Sequence, residues 1–392
     1  MIINSLLDND LYVFSVSYAF FKNYPEASGV LEFKDRNNTK YTPEFVERLW
    51  TEISSLGFLG VGMDEEKYLY ENIKYIPRSY FEWFSHAFKF DPGNINIHLD
   101  SEGHLSITVE EKLYKLGFYE IPILAIVSEL TSKFNDYRVD EKLILKRLDT
   151  KIKLSNDNGL VFSEFGTRRR HSYDVQDMIM KRIKETSGFC SGTSNVHFAM
   201  KYDMKPIGTM NHFYIEFFGA QYGYNLANQM AMEVWSKTYR GDLGVFLTDT
   251  YTTEVFFNNL DKYHALLFTG VRQDSGDEFE FTKKMIQRYE ELGVDPKTKT
   301  IFFSNGLDFP KFHLIKRFCE GKINLAVAGI GTNITHDTGY PHPVIVMKLI
   351  RCKMNDKQKS RECIKLSDDP GKYQGDPREI ERCLDYIESY VD

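Results

Sequence analysis

One histidine stands where chemistry would need it. The stretch Pro206-Ile207-Gly208-Thr209-Met210-Asn211-His212 is a short apolar run, a glycine and a polar step, followed by the aromatic segment Phe213 to Phe218. No cysteine or second histidine lies at ligand spacing from His212, so no metal-ligating set is assigned. A lone histidine after a strand is more often a hydrogen-bonded structural residue than a catalyst. Further on, Val271-Arg272-Gln273-Asp274-Ser275-Gly276-Asp277 sets Arg272 and Asp274 on one side of an extended segment. Arginine grips a carboxylate or phosphate through two bonds, and aspartate can hold sugar hydroxyls or a metal. A solvated charged turn is the plain alternative. Asp308, in Ser304-Asn305-Gly306-Leu307-Asp308, occupies the same position after a run. The stretch Ala328-Gly329-Ile330-Gly331-Thr332-Asn333 lets backbone N–H groups approach an anion closely, as phosphate cradles do. Its spacing fits neither a dinucleotide fingerprint nor a P-loop, and a tight turn explains it equally well.

These residues have to be positioned by repeated elements. From about residue 151 to 350 the chain repeats a short apolar run, a polar glycine-containing corner and an amphipathic helix. The runs are Leu160–Phe165, Phe189–Cys190, Lys205–Gly208, Leu243–Leu247, Leu266–Val271, Thr300–Phe303, Ile323–Ala328 and Val344–Ile350. Such alternation means parallel strands with crossover helices, in a barrel or an open sheet. The corners after the runs are all chemically loaded, and only a closed barrel brings every one of them to one mouth. The expected class is therefore α/β, an irregular parallel barrel. Residues 1–150 mix a hairpin pattern over 95–112 with aromatic helical stretches such as 76–90, which suggests a separate α+β domain. The boundary, near 145–155, rests on the change of pattern alone. A mouth with an anion cradle, Arg and Asp groups and an aromatic such as Phe165 suits a flat ring joined to a sugar phosphate.

Composition narrows the class. The chain has 392 residues, 42% apolar and 15% aromatic, enough for packed cores in more than one domain. A net charge of −7 argues against a nonspecific nucleic-acid binder. Five cysteines without a CxxC pair fit a reduced, cytoplasmic setting better than a disulfide framework. The start, Met1 to Asp10, lacks a signal-peptide pattern, and the apolar run Ile121–Val127 is too short to span a bilayer.

The order of motifs carries a resemblance. "LLDNDLY" (6–12), "EFGTRRR" (164–170), "SGTSN" (191–195), "IGTMNH" (207–212), "GDLGVFLTDTYTTEVFF" (241–257), "VRQDSGD" (271–277), "FFSNGLD" (302–308), "GIGTN" (329–333) and "KLSDDPGK" (365–372) together resemble nicotinate phosphoribosyltransferases, across nearly the whole chain. Asn211, Asn305 and His336 depart from the family pattern. The resemblance implies a type II phosphoribosyltransferase barrel at 151–350, and a tail at 351–392 packing on the N-terminal domain. It implies transfer of phosphoribosyl from phosphoribosyl pyrophosphate (PRPP) to nicotinate, with ATP as co-substrate and Mg2+ as cofactor, in a homodimer with shared sites. By the same analogy Phe165 takes one face of the ring and Tyr12 of a neighbouring subunit the other. Arg168, Ser194, Thr209 and Arg272 surround the nicotinate carboxylate. Asp274, Ser275, Gly276 and Asp308 serve ribose and phosphate, and Gly329, Gly331 and Thr332 the 5′-phosphate. His212 would be phosphorylated by ATP and then hydrolysed. Nicotinamide and quinolinate phosphoribosyltransferases, and a catalytically silent nucleotide-binding barrel, are the rival readings.

Overall fold

The computed structural model describes residues 1–391. Its strands, in chain order, are β1 (Ser28–Asp35), β2 (Ile95–Leu99), β3 (Leu105–Lys112), β4 (Phe162–Glu164), β5 (Cys190–Thr193), β6 (Val245–Leu247), β7 (Gly270–Gln273), β8 (Thr300–Phe303), β9 (Leu325–Ile330), β10 (Ile345–Lys353) and β11 (Arg361–Glu362). They form two sheets. One is antiparallel, in the order β11-β10-β1-β3-β2, and the other parallel, in the order β5-β4-β9-β8-β7-β6.

The hairpin expected over 95–112 is β2–β3. Leu105, Ile107 and Val109 alternate into the core, which fixes its register. The run Val344–Ile350, read from the sequence as a barrel strand, is not one. It is β10, paired antiparallel with β1 from Ser28↔Lys353 to Asp35↔Ile345. A buried apolar run carries no mark of its partner strand, so periodicity alone could not assign it. The consequence is functional, because β10 carries Lys348 to the barrel mouth.

The parallel sheet closes into an irregular barrel through an extended segment that is not itself a full strand. Ile207 N–H donates to the Thr193 carbonyl at 2.8 Å, beside the parallel bridge Thr193↔Pro206. Thr209 Oγ1 then donates to the Val245 carbonyl at 2.8 Å. The expected run Lys205–Gly208 thus spans the gap between the edge strands β5 and β6. The helix Glu141–Asn158 crosses the expected domain boundary and ends at Gly159, whose φ of +59° is the left-handed stop that favours glycine.

The helix His212–Tyr222 is apolar on almost every side, so it must be enclosed. Phe20 of the helix Leu11–Asn23 meets Phe213, Tyr214 and Phe217 with ring centroids 5.4, 5.6 and 5.1 Å apart. Each buried aromatic contributes roughly 1.5–3 kcal/mol, so this contact fastens the N-terminal domain to the helix that begins with His212. The chain before it runs along a barrel corner: Leu11 N–H donates to the Ser194 carbonyl at 2.7 Å, and Val196 N–H to the Asn9 carbonyl at 2.9 Å. The C-terminal tail touches the antiparallel sheet through β11 and then crosses to the barrel, where Leu366 N–H donates to the Thr250 carbonyl at 2.9 Å.

Candidate active site

The corners after the parallel strands converge on one cavity of about 960 Å³. Phe165, after β4, lies stacked on Phe302 with centroids 5.3 Å apart, which leaves its other face to the cavity. Gly329 makes this possible, since a Cβ there would sit 2.7 Å from the Phe165 ring and 2.8 Å from Phe302. Arg168 follows on the same corner, faced by Tyr12, Glu120, Asp274 and Asp10. Gly331 and Thr332 line the wall where a short helical turn begins, and N–H groups of a first turn have no intrahelical acceptor.

His212 is the first residue of its helix and is buried. Its Nδ1 lies 3.0 Å from Thr250 Oγ1, and its Nε2 lies 3.2 Å from Asp274 Oδ2 and 3.8 Å from Asp249 Oδ1. Burial pushes the imidazole down to about 4, with the Lys365 ammonium adding to the effect. The ring is therefore neutral. The hydrogen-bond network assigns its proton to Nε2, donated to Asp274, with Nδ1 accepting from the Thr250 hydroxyl. Asp274 also accepts from Ser304 Oγ at 2.5 Å. Burial alone would raise its carboxyl, but the His212 bond and the Arg272 guanidinium outweigh that and hold it well below the usual range. Arg272 Nη1 donates to the Met210 carbonyl at 3.0 Å, while its buried Nε has no acceptor among the described residues.

Some expected residues are placed elsewhere. Tyr12 lines this cavity from the same chain that supplies Phe165 and Arg168. Thr209 is spent on the Val245 carbonyl. Ser275 is buried, donating to Asp249 Oδ2 at 2.6 Å, and with Gly276 it lines a separate cavity behind the wall. Ser194 reaches the mouth, but its hydroxyl donates to Asp10 Oδ1 at 2.7 Å. Asp308 lies at the rim, where one oxygen caps the helix Phe309–Cys319 through Lys311 N–H. Asn305 bridges Lys372 Nζ and the Gly276 carbonyl, at 2.8 and 3.1 Å. His336 lines the mouth, and its Nδ1 donates to the Arg169 carbonyl at 2.8 Å.

Other functional residues escaped sequence reasoning. Asp249 and Thr250 sit in the corner Thr248-Asp249-Thr250, whose position after β6 was the available signal. Lys365 Nζ lies 3.6 Å from Asp249 Oδ2, and Lys348 lines the cavity beside Glu216. Nothing local marks Lys348, whereas Lys365 opens the motif KLSDDPGK at 365–372 without standing out as a charge for the mouth. His212, Asp249 and Asp274 also bring ligand atoms within 4.8 Å of one another, close enough to share a cation, though the three are far apart in sequence.

The comparisons with known proteins agree with this geometry. The nicotinate phosphoribosyltransferase (NAPRTase) family matches residues 160–386, and its N-terminal domain matches residues 7–128. The chain belongs to the nicotinate phosphoribosyltransferase family. A nicotinate phosphoribosyltransferase from Chromohalobacter salexigens is 39% identical over 381 residues, 97% of each chain. One from Desulforapulum autotrophicum is 36% identical, covering 98% of this chain and 99% of its own. The crystal structure of nicotinate phosphoribosyltransferase from Porphyromonas gingivalis superposes with a TM-score of 0.96 at 42% identity, over 99% of this chain and 100% of that one. A putative nicotinate phosphoribosyltransferase from Saccharomyces cerevisiae gives 0.92 at 32% identity, over 99% and 98%. The type II phosphoribosyltransferase fold expected from the motifs is thereby shown, and the mouth of its barrel is where the family's chemistry has to be sought.

Proposed function

We propose that this chain transfers the phosphoribosyl group of PRPP to nicotinate, releasing pyrophosphate and nicotinate mononucleotide for NAD biosynthesis, and that ATP hydrolysis is coupled to the transfer through a phosphohistidine at His212. The observation that carries the reading is one mouth that joins an open aromatic face, two arginines and a neutral histidine held against an anionic aspartate.

In this reading the pyridine ring lies on Phe165, with Tyr12 as its second wall. Arg168 and Arg272 meet its carboxylate, and the unpaired Nε of Arg272 gains an acceptor. The ring nitrogen attacks the anomeric carbon as pyrophosphate leaves. Positive charge grows on the sugar, and Asp274, kept ionised at the mouth, stabilises it without rearranging. Asp249 and Asp274 offer oxygen donors that fit a magnesium ion, which when bound would neutralise the departing pyrophosphate. Lys348, Lys365 and Lys372 line the same cavity and suit the phosphates of PRPP and ATP.

Phosphorylation needs a free ring lone pair. With its proton moved to Nδ1 and donated to the Thr250 hydroxyl, the ring offers the Nε2 lone pair to the γ-phosphorus of ATP, and the carboxylates of Asp249 and Asp274 stabilise the positive charge that the ring gains. The P–O bond to ADP breaks as the P–N bond forms, and water later returns phosphate and the free imidazole. Pyrophosphate release from PRPP, measured with nicotinate and with nicotinamide, tests the reading; no release with nicotinate, or release with nicotinamide alone, would overturn it.

A further inference from the structure

The base pocket holds a carboxyl group that the reaction above leaves unused. Asp10 belongs to the segment that runs along the Ser194 corner, and it is buried in the cavity wall beside Tyr12. Ser194 Oγ donates to its Oδ1 at 2.7 Å, and among the described residues the carboxyl has no second hydrogen-bond donor. The Ser194 hydroxyl, expected by analogy beside the nicotinate carboxylate, is therefore occupied. What this corner presents to a bound base is the carboxyl of Asp10.

The charged groups facing Asp10 are Glu164 from β4, Arg168 from the corner after it, and Glu120 from the helix Glu120–Phe134. Burial pushes the Asp10 carboxyl up to about 7. The Ser194 hydrogen bond and Arg168 oppose the rise, and Glu164 and Glu120 add to it. Arg168 is thus shared between Asp10 and the place assigned to the substrate carboxylate. Two ionised carboxylates cannot occupy such a site together, whereas a carboxylic acid donates its proton to a carboxylate in a short, charge-assisted bond.

We propose that Asp10, held by Ser194, is the residue that reads the exocyclic group of the pyridine, by sharing one proton with the carboxylate of the preferred base. The proposal rests on the phosphoribosyl-transfer reading above. No covalent bond changes: one proton lies between two carboxyl groups while the ring nitrogen reacts elsewhere. The sign of the pH dependence follows. As pH rises, Asp10 loses that proton, becomes an acceptor only, repels nicotinate and can instead accept from the amide N–H of nicotinamide.

The test is the ratio of kcat/KM for nicotinate to that for nicotinamide, followed from about pH 6 to about pH 9. The ratio cancels groups that serve both bases alike, His212 and Lys348 among them. In the wild type it should fall at least roughly tenfold as Asp10 ionises. Asp10→Asn should give a ratio that no longer varies with pH, because an amide donates at every pH. Ser194→Ala should displace the fall to higher pH, since the lost hydrogen bond stabilised the anion; a merely structural serine would not move it. A flat wild-type ratio, or a fall that persists in Asp10→Asn, overturns the proposal. If Asp10→Asn does not fold, the Ser194→Ala profile decides alone, and an undisplaced fall overturns the proposal. Failure of the wild type to release pyrophosphate with either base overturns both this proposal and the reading beneath it; use of nicotinate with a flat ratio overturns this one only.

Discussion

Two buried polar regions lie side by side in this barrel, and they are built on opposite principles. Beneath the mouth, Arg170 is fully buried, with Nη1 and Nη2 donating to the two oxygens of Asp8 at 2.9 and 2.8 Å. Asn195 Nδ2 adds a bond to Asp8 at 2.7 Å. Glu164 beside it accepts from Gly166 N–H, Thr193 Oγ1 and Gln176 Nε2, at 2.5, 2.6 and 3.2 Å. Among the described residues of this network, Nε of Arg170 alone is left over. At the mouth the balance is reversed. Both oxygens of Glu216, Oδ1 of Asp249, Oδ1 of Asn211 and Nε of Arg272 are buried with no hydrogen-bond partner among the described residues. Leaving a buried polar atom unpaired costs about 1–3 kcal/mol, so a fold keeps several together only where something else supplies the missing bonds. The lower network holds the corner that carries Arg168; the upper one is open to ligands. The neighbours Arg168 and Arg170, of like chemistry, are divided between the two tasks.

The sharpest way to break this division is at His212. His212→Ala should abolish ATP hydrolysis and the acid-labile phosphoprotein while the melting temperature stays close to that of the wild type. ATP hydrolysis that nicotinate still stimulates in this variant would remove His212 from the coupling. Arg272→Ala comes next, with kcat/KM for nicotinate expected to drop by the equivalent of about 2–5 kcal/mol and the fold intact. Because Tyr12 and Arg272 lie in one chain's cavity, mixing Arg272→Ala with Tyr12→Ala chains should restore no activity; recovery would bring back a site shared between subunits.

Arg170→Met should do the reverse. It strands the buried Asp8 carboxylate and should destabilise the fold by about 3–5 kcal/mol, read as a lower melting temperature, while the folded fraction keeps most of its kcat. A variant as stable as the wild type would show that the lower network does not hold the corner. The smallest effect is expected at Thr250→Val, which removes one neutral hydrogen bond to His212 Nδ1. Loss of about 1 kcal/mol should slow phosphorylation several-fold and leave the affinity for nicotinate unchanged. A change in affinity alone would place Thr250 in base binding.

Much of this architecture was legible beforehand, for reasons specific to the residues. Thr300–Phe303 is a threonine followed by three apolar residues, bounded by Lys299 and Ser304, and it is β8 to the residue. Phe165 ends a run and His212, Arg272 and Asp274 each follow one, so a barrel had to bring them to one mouth. What failed depended on distant pairing. The partner of β10 is β1, more than three hundred residues away, and Lys348 came to the mouth with it. Ser275 follows Asp274 directly, yet its side chain turns behind the wall to Asp249. Asp10 lies inside the motif at 6–12, but nothing in that string marks its carboxyl, which meets Ser194 only where the N-terminal segment lies along that corner.

The central claim is that this mouth joins nicotinate to a phosphoribosyl group. It is tested most directly by following nicotinate mononucleotide and pyrophosphate formed from nicotinate and PRPP by the purified chain, with and without ATP. The account predicts equal amounts of the two products, formed faster and further with ATP, and phosphate recovered on His212. Formation of neither product, under conditions where the chain is folded and binds PRPP, would contradict it.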